Sequence, residues 1–255
     1  MELGEDQQSR AALGRAPVLT EGAARRAALT IGVVALFVVG YFGVGRAIDP
    51  VRARQFGTAL DQRIPFIAAS VWVYLWVFPA SLLPVFFVRC PDLFRRTLLA
   101  YALAIAVSLV LFVAIPVTSI GLRVDPGTLD VKRVSPWAVA QLYRIDPPFN
   151  LFPSLHLSIA VLAALSAWKA RRVYGAAAFL GVALIAVSIC TVKQHFVLDG
   201  LGGVVLAAIV YALVLRPYAP QRGTDPAYGW RGPAAYAGLL LAVYTGLYAG
   251  FRLLA

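Results

Sequence analysis

Only two histidines occur in this chain of 255 residues, His156 and His195. Each stands at the start of an apolar run. The second lies in Thr191-Val-Lys-Gln-His195-Phe-Val-Leu-Asp199, where His195 and Asp199 are four apart and share a face if the segment is helical. A carboxylate so placed fixes the imidazole tautomer and stabilises its charged form, as in a hydrolase triad. Asp199 falls about one turn into an apolar run, where an ionisable group is costly and marks function by default. Lys193 adds a cation just outside that run. The first histidine lies in Asn150-Leu-Phe-Pro-Ser-Leu-His156. Pro153 suits the first turn of a helix, and Ser154 can cap that helix or contact an anion there. Free backbone N–H groups at such a terminus favour negative charge. The set therefore suits imidazole chemistry on an anionic group: His195, His156 and Asp199 as catalytic residues, Ser154 and Lys193 as anion contacts. Taken singly, each feature has a plainer meaning. A histidine at a membrane interface is usually an amphipathic anchor, and an aspartate near a helix start complements the dipole. Their joint occurrence favours chemistry.

The elements that position these residues follow from composition. Hydrophobic residues make up 60% of the chain and charged residues 14%, against roughly 45–50% and 25% in soluble domains. The mean hydropathy is +0.77. Seven apolar runs approach the length that spans about 30 Å of hydrocarbon: residues 28–44, 66–88, 97–115, 155–168, 173–192, 196–215 and 234–254. The expected fold is all-α, a polytopic transmembrane helical bundle with a six-helix core and a seventh, accessory helix. Residues 1–27 read as a disordered cytoplasmic tail, 28–216 as the catalytic transmembrane core, and 217–255 as a loop and the accessory helix. Pro79 and Pro84 allow a kink in the second span.

Charge sets the expected orientation. Arg25 and Arg26, then Arg89, Arg95 and Arg96, then Lys169, Arg171 and Arg172, then Arg216 and Arg222 cluster in alternate connections. By the positive-inside rule these face the cytoplasm, as does the amino terminus. Arg46, Arg52, Arg54 and Arg63 form a competing cluster on the other side. Both histidines then fall on the non-cytoplasmic face, of the plasma membrane, although the orientation comes from Arg and Lys alone. The net charge of +11 belongs to topology and to anionic head groups rather than to nucleic acid. Cys90 and Cys190 are expected near opposite faces, too far apart to pair, and no cysteine or histidine spacing suggests a metal.

The longest connection, about 118–153, is expected to be functional. Within it Ser135-Pro136-Trp137 reads as an N-cap, a first-turn proline and an aromatic anchor, opening a short interfacial helix over 137–143.

At these residues the sequence resembles the type 2 phosphatidic acid phosphatase superfamily, whose three blocks are KxxxxxxRP, PSxH and SRxxxxxHxxxD. Pro153, Ser154 and His156 match the second block; Ser188, His195 and Asp199 match the third at the right spacing. Two departures stand out. Ile189 occupies the place of the third-block arginine, and the first block has no match, Arg133 and Arg144 being the nearest basic residues ahead of PSLH. The wording around both histidines, and Asp61-Gln-Arg-Ile-Pro65-Phe, resembles the branch of inositol phosphorylceramide synthase and sphingomyelin synthase-like lipid phosphotransferases. The resemblance implies a membrane lipid phosphotransferase or lipid phosphate phosphatase acting through a phosphohistidine. His195 would be the nucleophile, Asp199 its orienter and His156 the general acid and base. A lipid phosphate or phospholipid would be the donor and water or a lipid alcohol the acceptor, with no cofactor or metal. The alternative is a polytopic transporter without phosphate chemistry. A retinal protein fits poorly, since Lys132, Lys169 and Lys193 all fall in connections.

Overall fold

A computed structural model of the chain describes residues 22–219 and 229–254. The expected tail, up to residue 21, lies outside them. Helix α1 (Ala23–Ala47) begins five residues ahead of the run that announced it. A short capped turn of helix, α2 (Ala59–Arg63), follows. The second apolar run becomes a broken helix, α3 (Val71–Leu75), α4 (Val77–Ser81) and α5 (Leu83–Phe87), after a 3-10 turn at Ala68–Ser70. Pro79 and Pro84 each lack the N–H that would bond one turn back, and the breaks at Trp76 and Leu82 lie just ahead of them.

The remaining elements are α6 (Pro91–Ala114), the short α7 (Val134–Ile145), α8 (Leu155–Ala170), α9 (Arg172–Thr191), α10 (Val197–Val210) and α11 (Arg231–Leu254). A π-helical stretch, Tyr211–Leu215, extends α10. Among the described residues, five helices are long and apolar enough to cross a membrane: α1, α6, α9, α10 with its extension, and α11. Two shorter apolar helices, the broken one and α8, complete seven. The chain is an all-α integral membrane protein, as the apolar runs predict.

Helix α8 is the centre of the bundle. Twelve of its sixteen residues are buried, and it packs against α4, α5, α6, α9 and α10. At 1.5 Å per residue it is about 24 Å long, short of a full crossing. Its wall is built from Ala160, Ala163, Ala164 and Ala167, which let neighbours approach. It meets α10 closely: a Cβ on Gly203 would collide with the Ser154 carbonyl oxygen, and the Gly203 carbonyl accepts a hydrogen bond from Ser158 Oγ at 2.9 Å. By contrast α1 buries only Tyr41 and Gly45, leaving Ile31, Val34 and Val39 exposed. Such a surface suits lipid.

The two ends of the bundle differ. At one, Arg26 donates to the Val88 carbonyl (2.7 Å) and stacks over Phe94, while Lys169 donates to the Tyr218 carbonyl (2.9 Å). At the other, where α8 and α10 begin, the connections after α1, α6 and α7 meet in two isolated β-bridges, Arg54 to Val117 and Val117 to Asn150. Helix α7 covers part of this end. It starts at Val134, so Ser135 is not its N-cap: the Ser135 hydroxyl instead accepts from Trp72 Nε1 at 2.9 Å. Cys90 and Cys190 are both free thiols.

Candidate active site

Ser154 caps α8, its Oγ accepting from Leu157 N at 3.4 Å, and its own N–H donates to the Asp199 carbonyl at 2.8 Å. Pro153 therefore stands just ahead of the helix rather than in its first turn, and His156 is the second helical residue. Ser154 is fully buried.

The segment that carries His195 and Asp199 departs further from expectation. Helix α10 starts at Val197, so His195 precedes it. Helix α9 ends at Thr191, and Lys193, with φ of 57°, reverses the chain. The Gln194 and His195 N–H groups both donate to the Ile189 carbonyl, at 3.1 and 3.0 Å. This turn, not a shared helical face, aims His195 at Asp199: Nδ1 to Oδ2 is 3.6 Å, beyond hydrogen-bond length. The same Asp199 oxygen accepts from Phe196 N at 2.9 Å, so Asp199 also caps α10.

The histidines meet. His156 Nδ1 lies 3.2 Å from His195 Nε2, with the rings near perpendicular at 69°. Both are buried, as is Asp199. The Tyr74 hydroxyl lies 3.4 Å from His156 Nε2, and Tyr41, Tyr74 and Phe78 pack around the His156 ring.

Lys193 is placed differently from what its sequence position promised. Its ammonium donates to the carbonyls of Asp61 and Ile64, tying the segment ahead of the broken helix to the turn. The Asp61 carboxylate completes this tie by accepting from Val197 N (2.8 Å), the first free N–H of α10, and from Thr58. Burial works to raise the Asp61 pKa, but the hydrogen bonds from the Thr58 hydroxyl and from Val197 and Thr58 N–H outweigh it and hold the carboxyl below its ordinary range.

Residues with no motif to announce them complete the site. Arg123, from the long connection after α6, donates through Nε to Gln194 Oε1 (2.9 Å) and through its terminal nitrogens to the carbonyls of Tyr143 and Asp146 (both 3.1 Å). Its guanidinium lies 3.7 Å from Asp146 Oδ2, and Asp146 Oδ1 accepts from Tyr41 OH at 2.8 Å. Burial raises the Asp146 pKa, opposed by the Tyr41 hydroxyl, Arg123 and His195. The long connection thus brings Arg123, rather than Arg133 or Arg144, to Gln194 and Asp146.

Two apolar clefts flank this cluster. One, between α1, the broken helix, α6 and α8, is lined by Thr30, Val33, Phe37, Phe78, Tyr101 and Ile105 and ends at His156. The other, between α9 and α10, is lined by Leu157, Ile189, Cys190, Gly200 and Val204 beneath the loop from Ile64 to Ile67. His156 and Leu157 are successive helical residues, so the clefts open on different faces of α8.

A family model described as the PAP2 superfamily matches residues 51–213. This is well over half of the chain, and the chain belongs to that superfamily. The matched region holds every site residue above except Tyr41, and leaves α1 and α11 outside. No curated protein and no solved structure matches the chain.

Proposed function

Proceeding from membership in the PAP2 superfamily, we propose that this protein is a membrane lipid phosphotransferase or lipid phosphate phosphatase working through a phosphohistidine on His195. The observation that carries the reading is the buried contact of 3.2 Å between His156 Nδ1 and His195 Nε2, with Asp199 behind His195. In the resting state His195 holds its proton on Nδ1, facing Asp199, and Nε2 carries the lone pair. The phosphoryl group of the donor enters between the two rings, replacing their direct contact. Nε2 forms the P–N bond as the P–O bond to the leaving group breaks, and His156 delivers a proton to the departing oxygen. The acceptor hydroxyl then gives its proton to His156 and attacks phosphorus, and the P–N bond breaks. Tyr74 steadies His156, and Asp199 stabilises the positive charge that develops on His195. Ser154 adds the N-terminal N–H groups of α8, which it orders, as an anion-favouring surface. Lys193 has a positioning role here, through the Asp61–Ile64 segment.

Two observations favour transfer to a lipid alcohol over hydrolysis. The catalytic groups are buried, and exclusion of water protects a phosphoenzyme from hydrolysis. Two apolar clefts on different faces of α8 offer separate places for a donor chain and an acceptor chain. We therefore favour an inositol phosphotransferase-like reaction, in the manner of the inositol phosphorylceramide synthase and sphingomyelin synthase branch. The basic end of the bundle, with Arg26 and Lys169, faces the cytoplasm, and the site works at the non-cytoplasmic face of the plasma membrane. Residues 28–216 form the catalytic core, and α11 is an accessory helix.

The test is a donor assay on the purified protein in detergent, with head-group-labelled and phosphate-labelled lipids, with and without a lipid alcohol, and His195→Ala as control. Label on the alcohol, only with His195 intact, supports transfer. Release of free phosphate or phospho-head group regardless of acceptor leaves a phosphatase or phosphodiesterase and removes the branch reading.

A further inference from the structure

A phosphoryl group crossing between two imidazoles brings negative charge into a buried site, and some cation or donor must meet it. Lys193, the cation nearest in sequence, is held by two carbonyls of the Asp61–Ile64 segment. The structure points instead to Arg123 and Gln194. Gln194 directly precedes His195 and is buried, 1% exposed. Arg123 Nε, which can only donate, fixes the amide with Oε1 toward the guanidinium. Gln194 Nε2 is left as a buried donor with no partner among the described residues. A buried amide donor without an acceptor costs free energy, and native structures keep few of them.

Arg123 has donors to spare as well. Of its five N–H groups, one on each of Nε, NH1 and NH2 is used in the hydrogen bonds to Gln194, Tyr143 and Asp146. One on each terminal nitrogen remains, the pair that suits two oxygens of a phosphate. The ion pair with Asp146 is long, 3.7 Å. Asp146 is in turn held by Tyr41, whose ring lies 6.2 Å from that of His156. The cluster thus reaches the histidine pair at two places, through Tyr41, whose ring packs on His156, and through Gln194, the residue directly before His195.

We propose that Arg123 and Gln194 Nε2 form the oxyanion-binding pair for the non-bridging oxygens of the transferring phosphoryl group, Arg123 also setting the amide's orientation. This supplies the cation that Ile189 cannot. The proposal rests on the phosphohistidine reading, but its test reads binding apart from turnover.

The experiment measures orthovanadate binding to the full-length protein by calorimetry, beside kcat. Gln194→Glu keeps an oxygen for Arg123, so the fold is retained and the thermal midpoint holds or rises, yet it puts a carboxylate oxygen where Nε2 faces the phosphate. Vanadate affinity should fall at least tenfold and kcat roughly 10²–10³-fold, the usual loss for an oxyanion donor. Gln194→Met, which lacks both amide atoms, serves if glutamate disturbs the fold, and Arg123→Lys keeps the charge but loses the fork. Vanadate affinity within twofold of wild type in Gln194→Glu, or in Gln194→Met if glutamate unfolds the chain, would overturn the proposal. So would a wild-type protein that turns over but binds no vanadate. A wild type that binds vanadate, weakened by these substitutions, yet forms no phosphohistidine would retain the anion site and remove the reaction assigned to it.

Discussion

His156 Nδ1 and His195 Nε2 lie 3.2 Å apart although 39 residues of chain separate them. Two short elements make the contact. Ser154 starts α8 one residue before Leu155, and the turn at Lys193 returns the chain from α9 to the start of α10. Because α8 and α10 begin at the same end and touch at Gly203, the two histidines converge there.

From this geometry His156→Ala should lose roughly 10²–10⁴-fold in kcat, the usual worth of a general acid. The loss should shrink for donors with a good leaving group, which need no proton. Steady-state rates with an alkyl and a nitrophenyl phosphate ester check this. An equal loss for both would mean that His156 acts by packing alone.

Asp199 has two tasks, and one substitution separates them. Asp199→Asn keeps an oxygen to accept from Phe196 N, so α10 stays capped and the thermal midpoint should change little. The negative charge facing His195 is lost, and phosphoenzyme formation should slow by tenfold or more, on the order of the ~1.4 kcal/mol that a tenfold change represents. Unchanged rates would leave Asp199 as a cap only.

Gly203→Ala sets a methyl group against the Ser154 carbonyl at the junction of α8 and α10. Overpacking of this kind costs about 1–3 kcal/mol. A lowered thermal midpoint is expected, with a fall in kcat as α8 and its histidine shift away from His195. A midpoint and rate equal to wild type would show that the junction yields without consequence.

The Asp61 carboxylate gives a pH signature. Its folded pKa lies below the ordinary 3.8, so its contribution to stability is complete above that value and is lost as pH falls through the lowered one. Wild type should lose thermal stability more steeply than Asp61→Asn as pH drops from about 5 to about 3. Parallel curves would mean that the bonds to Val197 and Thr58 contribute nothing net.

Much of the candidate site is legible in the sequence because histidines are rare in this chain and these are regularly placed. Two histidines, one with an aspartate four residues on, stand at the starts of apolar runs, and the runs themselves give the helices. The breaks ahead of Pro79 and Pro84 follow from the missing N–H groups. Where reading failed, the cause is backbone conformation or long-range contact. Lys193 looked like a phosphate contact, but its positive φ belongs to the chain reversal and sends its ammonium to Asp61 and Ile64. Ser135 reads as a cap, but the helix is capped two residues earlier, at Arg133, and Trp72 uses the hydroxyl. Tyr41 and Tyr74 reach His156, and Arg123 reaches Gln194, across separations that no spacing rule spans; Arg123 is 71 residues from Gln194 and Tyr41 is 105 from Asp146. The one available sign was a cation in an unusually long connection.

The most direct measurement is trapping of the protein with a phosphate-labelled donor, quenched in alkaline detergent and followed by peptide mapping at alkaline pH. An acid-labile, base-stable label on His195, absent in His195→Ala and retained at a slower rate in His156→Ala, is the result predicted. Turnover without any label on His195, or undiminished turnover in His195→Ala, would contradict the account at its centre.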